Sequence, residues 1–233
     1  MGIETDVNTL EGPPVADAAW AAFSALSMQT PTVDQIASSF PEFLKYWELI
    51  SGVRSCSAWG WILDAIPVFK QYTYAIPSDQ ALLALTNLGA GIVEIGAGTG
   101  FWSRCLQTFG ADVIAFDKNP PLQTWTAVQQ GDHLEAAKYP DRALFLCYPE
   151  QDGSIQRGGD GELGMIFDTV VPFQKAGGKF VAVILPNFTN LERNVRPELS
   201  AHMAEHWTLM ATISLPRMPR NKDDLRIYAR KPE

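Results

Sequence analysis

The chain has 233 residues, 46% hydrophobic and 19% charged, with a net charge of −8 and an isoelectric point near 4.9. These values describe an ordinary globular chain, long enough for one large domain or a core domain with an added cap, and they disfavour electrostatic capture of nucleic acid or an anionic membrane. Cys56, Cys105 and Cys147 are too widely spaced for a disulfide framework or zinc site, no apolar run can span a bilayer, and the N-terminus lacks a secretory pattern, so a cytoplasmic protein is expected.

Residues 1–14 are polar and end in Gly12-Pro13-Pro14, which reads as a loose arm. From Val15 to Met28, Trp20, Phe23 and Leu26 recur at helical spacing. Thr32 precedes Val33-Asp34-Gln35, the pattern of a capped helix start. Pro41 suits the first turn of a third helix carrying Phe43, Leu44, Trp47, Leu49 and Ile50. These helices predict a cap over residues 1–78, ahead of a main domain over 79–233. They either cover a site or join two copies of the chain. Between them and the main domain, Trp59-Gly60-Trp61, Phe69, Tyr72 and Tyr74 crowd rings into a short stretch ending in Ala75-Ile76-Pro77-Ser78. Two readings stay open: the rings cover a sheet edge, or Tyr72 to Ser78 runs past a bound ligand as a lid. Ser78 or Asp79 is expected to cap a helix from Gln80 to Leu88.

The most informative stretch is Ile92-Val93-Glu94-Ile95-Gly96-Ala97-Gly98-Thr99-Gly100-Phe101-Trp102. An apolar run, a glycine-rich turn and an apolar-periodic segment predict strand, tight turn and helix. The glycines let the backbone approach a ligand that a Cβ would push away, and the amides opening the helix face a polar or anionic group. Ala111 to Asp117 predicts a second buried strand. It ends in an acid 21 positions after Gly96, the distance at which a βαβ unit sets a carboxylate against a ribose.

Glu94-Ile95-Gly96-Ala97-Gly98-Thr99-Gly100 resembles motif I of the class I S-adenosylmethionine-dependent methyltransferases, and Asp117 matches the acid with which that family holds both ribose hydroxyls. The G-x-G-x-G spacing and the preceding acid set it apart from a nicotinamide dehydrogenase. The Tyr-Ala-Ile-Pro-Ser segment resembles one found shortly before motif I in a sparsely characterised group of methyltransferase-like proteins. The resemblance implies an α/β fold. Its Rossmann-like sheet would be mostly parallel with an antiparallel C-terminal hairpin strand, with helices on both faces and an N-terminal helical cap. It implies S-adenosylmethionine as cofactor and Tyr74, Glu94, Gly96, Ala97, Gly98, Thr99, Gly100, Asp117, Lys118, Asp132 and Cys147 as its site. Asp132 stands either against the adenine amino group or as an N-cap.

Further along, Leu122 to Val128 predicts a short helix, and a third strand is expected to end near Gln129 to His133. Ala143 to Glu150 reads as the fourth strand with its exit. There the resembled amine methylases carry Asn/Asp-Pro-Pro-Tyr/Phe, and this chain has Cys147-Tyr148-Pro149-Glu150. Gln151 to Gly161 reads as a loop. Leu163 to Lys175 reads as a helix broken by Pro172, and Lys179 to Leu185 as a fifth strand, with the loop to Arg196 beside the substrate. Pro197 to Glu205 is expected to be helical, and Trp207 to Leu215 and Asp224 to Ala229 are two closing strands.

Methyl transfer needs in-line positioning, a dry site and sometimes a base. His133, Tyr148 and Glu150 are the candidate catalytic residues: a base that titrates near neutrality, a ring wall for a cation or planar acceptor, and an acid. The bland alternatives are a capping histidine, a core-facing tyrosine and a solvated acid. His202 and His206 have a metal-like spacing, but no Cys or Asp completes a site, and no metal is expected. The preferred expectation is a methyltransferase acting on a small molecule. Its rivals are a fold member that binds the nucleoside without transfer, and one that catalyses rearrangement with the cofactor as electrostatic support.

Overall fold

The computed structural model describes residues 17–53, 58–149, 164–186, 197–216 and 223–232. Four helices precede the glycine-rich stretch's own helix–strand unit: α1 (Asp17–Ser27), α2 (Asp34–Ser39), α3 (Pro41–Gly52) and α4 (Ala58–Gln71). Then follow α5 (Asp79–Thr86), β1 (Ile92–Ile95), α6 (Phe101–Thr108), β2 (Val113–Asp117), β3 (Val128–Gln130) and a 3-10 helix (His133–Lys138). The chain closes with β4 (Ala143–Cys147), α7 (Gly164–Lys175), β5 (Phe180–Pro186), α8 (Pro197–His206), β6 (Trp207–Ser214) and β7 (Asp223–Arg230).

The strands form one sheet in the order β3-β2-β1-β4-β5-β7-β6. All neighbours are parallel up to β5, and β7 runs antiparallel between β5 and β6. The order reverses at β1, whose neighbours are β2 and β4. The carboxyl ends of β1 and β4 therefore open a crevice, where open α/β sheets bind ligands. Strand alternation decides which side chains face it. Ile92, Phe145, Ala182 and Ile184 join one apolar cluster with the N-terminal helices and α6. Val93, Ile95, Leu144, Leu146 and Val183 join the opposite cluster with α7 and α8. The same parity sends Glu94 to the cap face, where Ser103 of α6 meets it.

Several local expectations are corrected. Thr32 does not cap α2; its hydroxyl donates to Asp79, and the Asp79 carboxylate accepts the amides of Gln35 (3.0 Å) and Ile36 (2.9 Å). The cap is thus supplied from the start of α5, while Ser78 caps α5 itself by accepting from Ala81 N. The ring-rich stretch contains α4, which continues through Pro67. Leu122 to Val128 forms no helix: Trp125 N donates to Thr99 O at 2.8 Å, and Val128 already begins β3. Pro172 does not break α7, which runs on to Lys175. Gln151 to Gly161, the loop to Arg196 and the N-terminal arm lie outside the described residues.

Candidate active site

β1 ends at Ile95 because its next backbone amides turn away to a neighbour: Gly96 N and Ala97 N both donate to Phe116 O, at 2.8 and 2.9 Å. Two glycines show why the turn needs their residue type. Gly100 has φ 73°, and a Cβ there would lie 2.7 Å from a Val128 methyl, so the backbone is both left-handed and hemmed in. Gly98 has φ 53° with nothing within 4 Å of where its Cβ would be, so the loop faces open space. Asp117, at the end of β2, fixes this geometry. One carboxylate oxygen accepts Gly98 N at 2.8 Å and the other accepts Asn119 N at 2.8 Å.

That open space is a cavity of about 300 Å³, at the small end of the range for small-molecule sites. Glu94, Gly96 to Thr99 and Asp117 line one side. Glu94 is buried and accepts a hydrogen bond from Ser103. Burial pushes its carboxyl up to about 7, the Ser103 hydrogen bonds offset part of that, and the nearby Asp117 charge adds to it.

The opposite side is a strap between α4 and α5, held by donors from four places. Trp125 Nε1 donates to Gln71 O (2.8 Å), the Thr99 hydroxyl to Tyr72 O, Tyr46 OH to Thr73 O (3.3 Å) and Trp102 Nε1 to Ala75 O (3.1 Å). The Tyr72 ring stacks between Tyr46 and Trp125, with centroids 5.1 Å away on each side. Tyr74 stays half exposed and stacks on Tyr148 at 5.7 Å.

Cys147 and Tyr148 leave β4 into the same cavity. Burial pushes the Cys147 thiol well above its ordinary range, so it is neutral and no nucleophile at pH 7. Tyr148 OH donates to Asp223 Oδ1 at 2.8 Å. Asp223 was not singled out from the sequence. Its signal is parity, since in Asp223-Asp224-Leu225-Arg226-Ile227 it shares the buried face of Leu225 and Ile227.

Of the residues predicted for the site, the cavity gathers Tyr74, Glu94, Gly96, Ala97, Gly98, Thr99, Asp117, Cys147 and Tyr148. Gly100 stands behind it against β3. Lys118, Asp132 and His133 are not among its lining residues. Lys118 is exposed, and the Asp132 carboxylate accepts Leu134 N (2.9 Å) as N-cap of the 3-10 helix that His133 opens. Glu150 lies outside the described residues. The His202 and His206 rings lie 4.6 Å apart on α8, tilted by 55°, and no group of three potential metal ligands occurs among the described residues.

No family model and no curated protein matches the chain. Solved structures do. The N-methyltransferase NodS from Bradyrhizobium japonicum WM9 is 14% identical over 65% of this chain and 93% of its own, with a TM-score of 0.44. Magnesium protoporphyrin IX methyltransferase (ChlM) from Synechocystis PCC 6803, with bound SAM, is 9% identical over 94% and 100%, at 0.48. A SAM-dependent methyltransferase from Archaeoglobus fulgidus is 16% identical over 73% and 91%, at 0.37. These likenesses are distant, and the chain's own strand order, glycine turn and β2 acid are what define its architecture. It has the Rossmann-like fold of the class I S-adenosylmethionine-dependent methyltransferases.

Proposed function

We propose that the chain is an S-adenosylmethionine-dependent methyltransferase acting on a small-molecule acceptor. The observation that carries the reading is the joined geometry of Gly98 and Asp117: a left-handed glycine open to the cavity, beside a carboxylate already fixed at the end of β2. Glu94 strengthens the fit, because a buried acid held near 7 is stabilised by a cationic ligand. When bound, the cofactor supplies an electrophilic methyl group on a sulfonium. Glu94 and the turn from Gly96 to Gly100 would hold its methionine end and Asp117 its ribose edge, with Lys118 and Asp132, both outside the cavity lining, proposed for the ribose and the adenine. Tyr74 and Cys147 border it toward the acceptor. Of the side chains proposed to act on that acceptor, Tyr148 lines the cavity, His133 stands outside its lining and Glu150 lies outside the described residues.

The chain's contribution is positioning and exclusion of water. The anchored strap roofs the cavity with apolar rings, and the end of β4 puts Tyr148 on the cavity lining, where it would meet an acceptor. Calorimetric titration with S-adenosylmethionine and S-adenosylhomocysteine tests the reading, with micromolar binding expected. Binding of neither ligand would remove it. A second reading, binding without transfer, is favoured by Cys147-Tyr148-Pro149, which lacks the Asn/Asp of amine methylases. It predicts tight binding with no S-adenosylhomocysteine formed across an acceptor panel.

The proposal includes a cytoplasmic location, consistent with the finding that no helix among the described residues is long and apolar enough to cross a membrane. It also includes pairing of two copies through the N-terminal helices, where Leu44, Leu49 and Leu63 are exposed. Light scattering on the purified chain distinguishes dimer from monomer.

A further inference from the structure

Away from the glycine turn, the cavity is bounded by a tyrosine held in an unusual way. Tyr148 is the first residue after β4, and its φ of 50° is left-handed, rare for a bulky side chain. Its N–H donates to Ile184 O at 2.9 Å, its ring stacks on Tyr74 with planes 22° apart, and its hydroxyl donates to Asp223 at 2.8 Å. Three contacts thus fix its backbone, ring plane and hydroxyl direction. Strain of this kind persists where the surroundings over-determine it, and such places cluster at functional sites.

Asp223 lies opposite Pro186 in the β5–β7 register and is 2% exposed. Its Oδ2 is buried with no hydrogen-bond partner among the described residues, which is costly for a carboxylate unless something uses it. Among the described residues, the titratable groups that act on it or feel it are Tyr148, the adjacent Asp224, and Tyr46 and Cys147 on the cap face. Burial raises the Asp223 carboxyl to about 6, partly offset by the Tyr148 hydrogen bond. Such a group is ionised at neutral pH yet basic enough to take a proton.

We infer that Tyr148 and Asp223 form the proton-accepting side of the methyl acceptor's subsite, and that the acceptor is a planar molecule with a hydroxyl or an amine on its ring. This deepens the methyltransferase reading and rests on it. The acceptor's lone pair forms the bond to the methyl carbon, and the carbon–sulfur bond breaks with its electron pair left on sulfur. The acceptor's proton passes to Tyr148 Oη as the tyrosine's own proton passes to Asp223 Oδ1. Tyr148 ends unchanged and Asp223 neutral. A phenol oxygen has two lone pairs besides the proton it donates, so it can receive as it gives. The Tyr74 and Tyr148 rings favour a flat partner. Tyr148 is the catalytic residue of the pair and Asp223 its positioning residue.

Carboxyl-carbon NMR on protein labelled at aspartate, with D223N for assignment, tests the pair in the S-adenosylhomocysteine complex. The probes are phenol and anisole, the same ring with and without the transferable proton. Asp223 is expected to titrate near 6. Saturating phenol should lower its midpoint by about half a pH unit, roughly threefold in proton affinity, because a bond donated to Tyr148 strengthens the one Tyr148 donates onward. Anisole should leave it in place, and Y148F should abolish the phenol effect while keeping the ring. A shift from neither probe, an equal shift from both, or a phenol shift that survives in Y148F would overturn the inference. Cofactor binding is read separately by calorimetry. If S-adenosylhomocysteine fails to bind while the phenol-specific shift persists in the free protein, the methyltransferase reading falls and the proton-accepting pair stands.

Discussion

The two walls of the cavity are built by different means. One wall comes from a single βαβ unit, Glu94 to Asp117, and is made of backbone amides, glycines and two acids. The other is assembled from Tyr74 on the strap and Tyr148 after β4, and behind it Asp223, opening β7, holds the Tyr148 hydroxyl across 75 positions of sequence. A backbone-built wall demands particular residue types at fixed short spacings, because a Cβ or a missing acid breaks it locally. A side-chain-built wall demands only that the sheet bring its parts into register, and nothing in the local sequence announces it.

Removing Asp117 is expected to break the comparison most severely. D117A takes away the group that holds Gly98 N and Asn119 N and is proposed to hold the ribose. Affinity for S-adenosylhomocysteine should fall about a hundredfold, about 3 kcal/mol, by calorimetry. Unchanged affinity in a folded D117A protein would mean that the contiguous wall is not the cofactor's.

What was legible divides along the same line. The strand-turn-helix of β1 and α6 and the β2 acid were readable because each obeys a short-range rule, and the antiparallel ending was expected from the family resemblance alone. Thr32 misled because Asp79, distant in sequence, outcompetes it for the α2 amides. Leu122 to Val128 misled because Thr99 captures Trp125 N and draws the segment toward β3. Asp223 was hidden among alternating residues whose buried face only the sheet reveals.

Glu94 offers a second test, in which the two walls differ by pH. Its folded carboxyl titrates at about 7 against an ordinary 4.5. Between those values the folded protein keeps a proton that the unfolded chain gives up, so Glu94's contribution to stability falls as pH rises from 4.5 to 7 and is level above. The loss amounts to at most about 3 kcal/mol. In urea unfolding followed from pH 4.5 to 8, E94Q should remove this contribution and leave the smaller fall that Asp223 gives below about pH 6. A profile identical to wild type would show Glu94 ionised throughout.

Asp79 tests whether the assembled side depends on remote anchors. D79A leaves the α2 amides and the Thr32 hydroxyl without their buried acceptor. A loss of about 2 kcal/mol is expected, with cofactor affinity little changed. A parallel loss of affinity would mean that the cap and the glycine wall are one cooperative unit.

The smallest effect bears on whether the strap is a wall or a lid. If residues 72 to 78 opened and closed freely, the bond from the Thr99 hydroxyl to the Tyr72 carbonyl would be broken much of the time and add little. The four donors on the carbonyls of Gln71, Tyr72, Thr73 and Ala75, with the Tyr72 ring clasped between two others, argue for a fixed wall. T99V keeps the shape of the side chain and removes one donor. It should cost about 1 kcal/mol, and amide exchange from Thr73 to Ile76 should quicken about fivefold. A mobile lid predicts no change in either, because a bond that is rarely made cannot be missed.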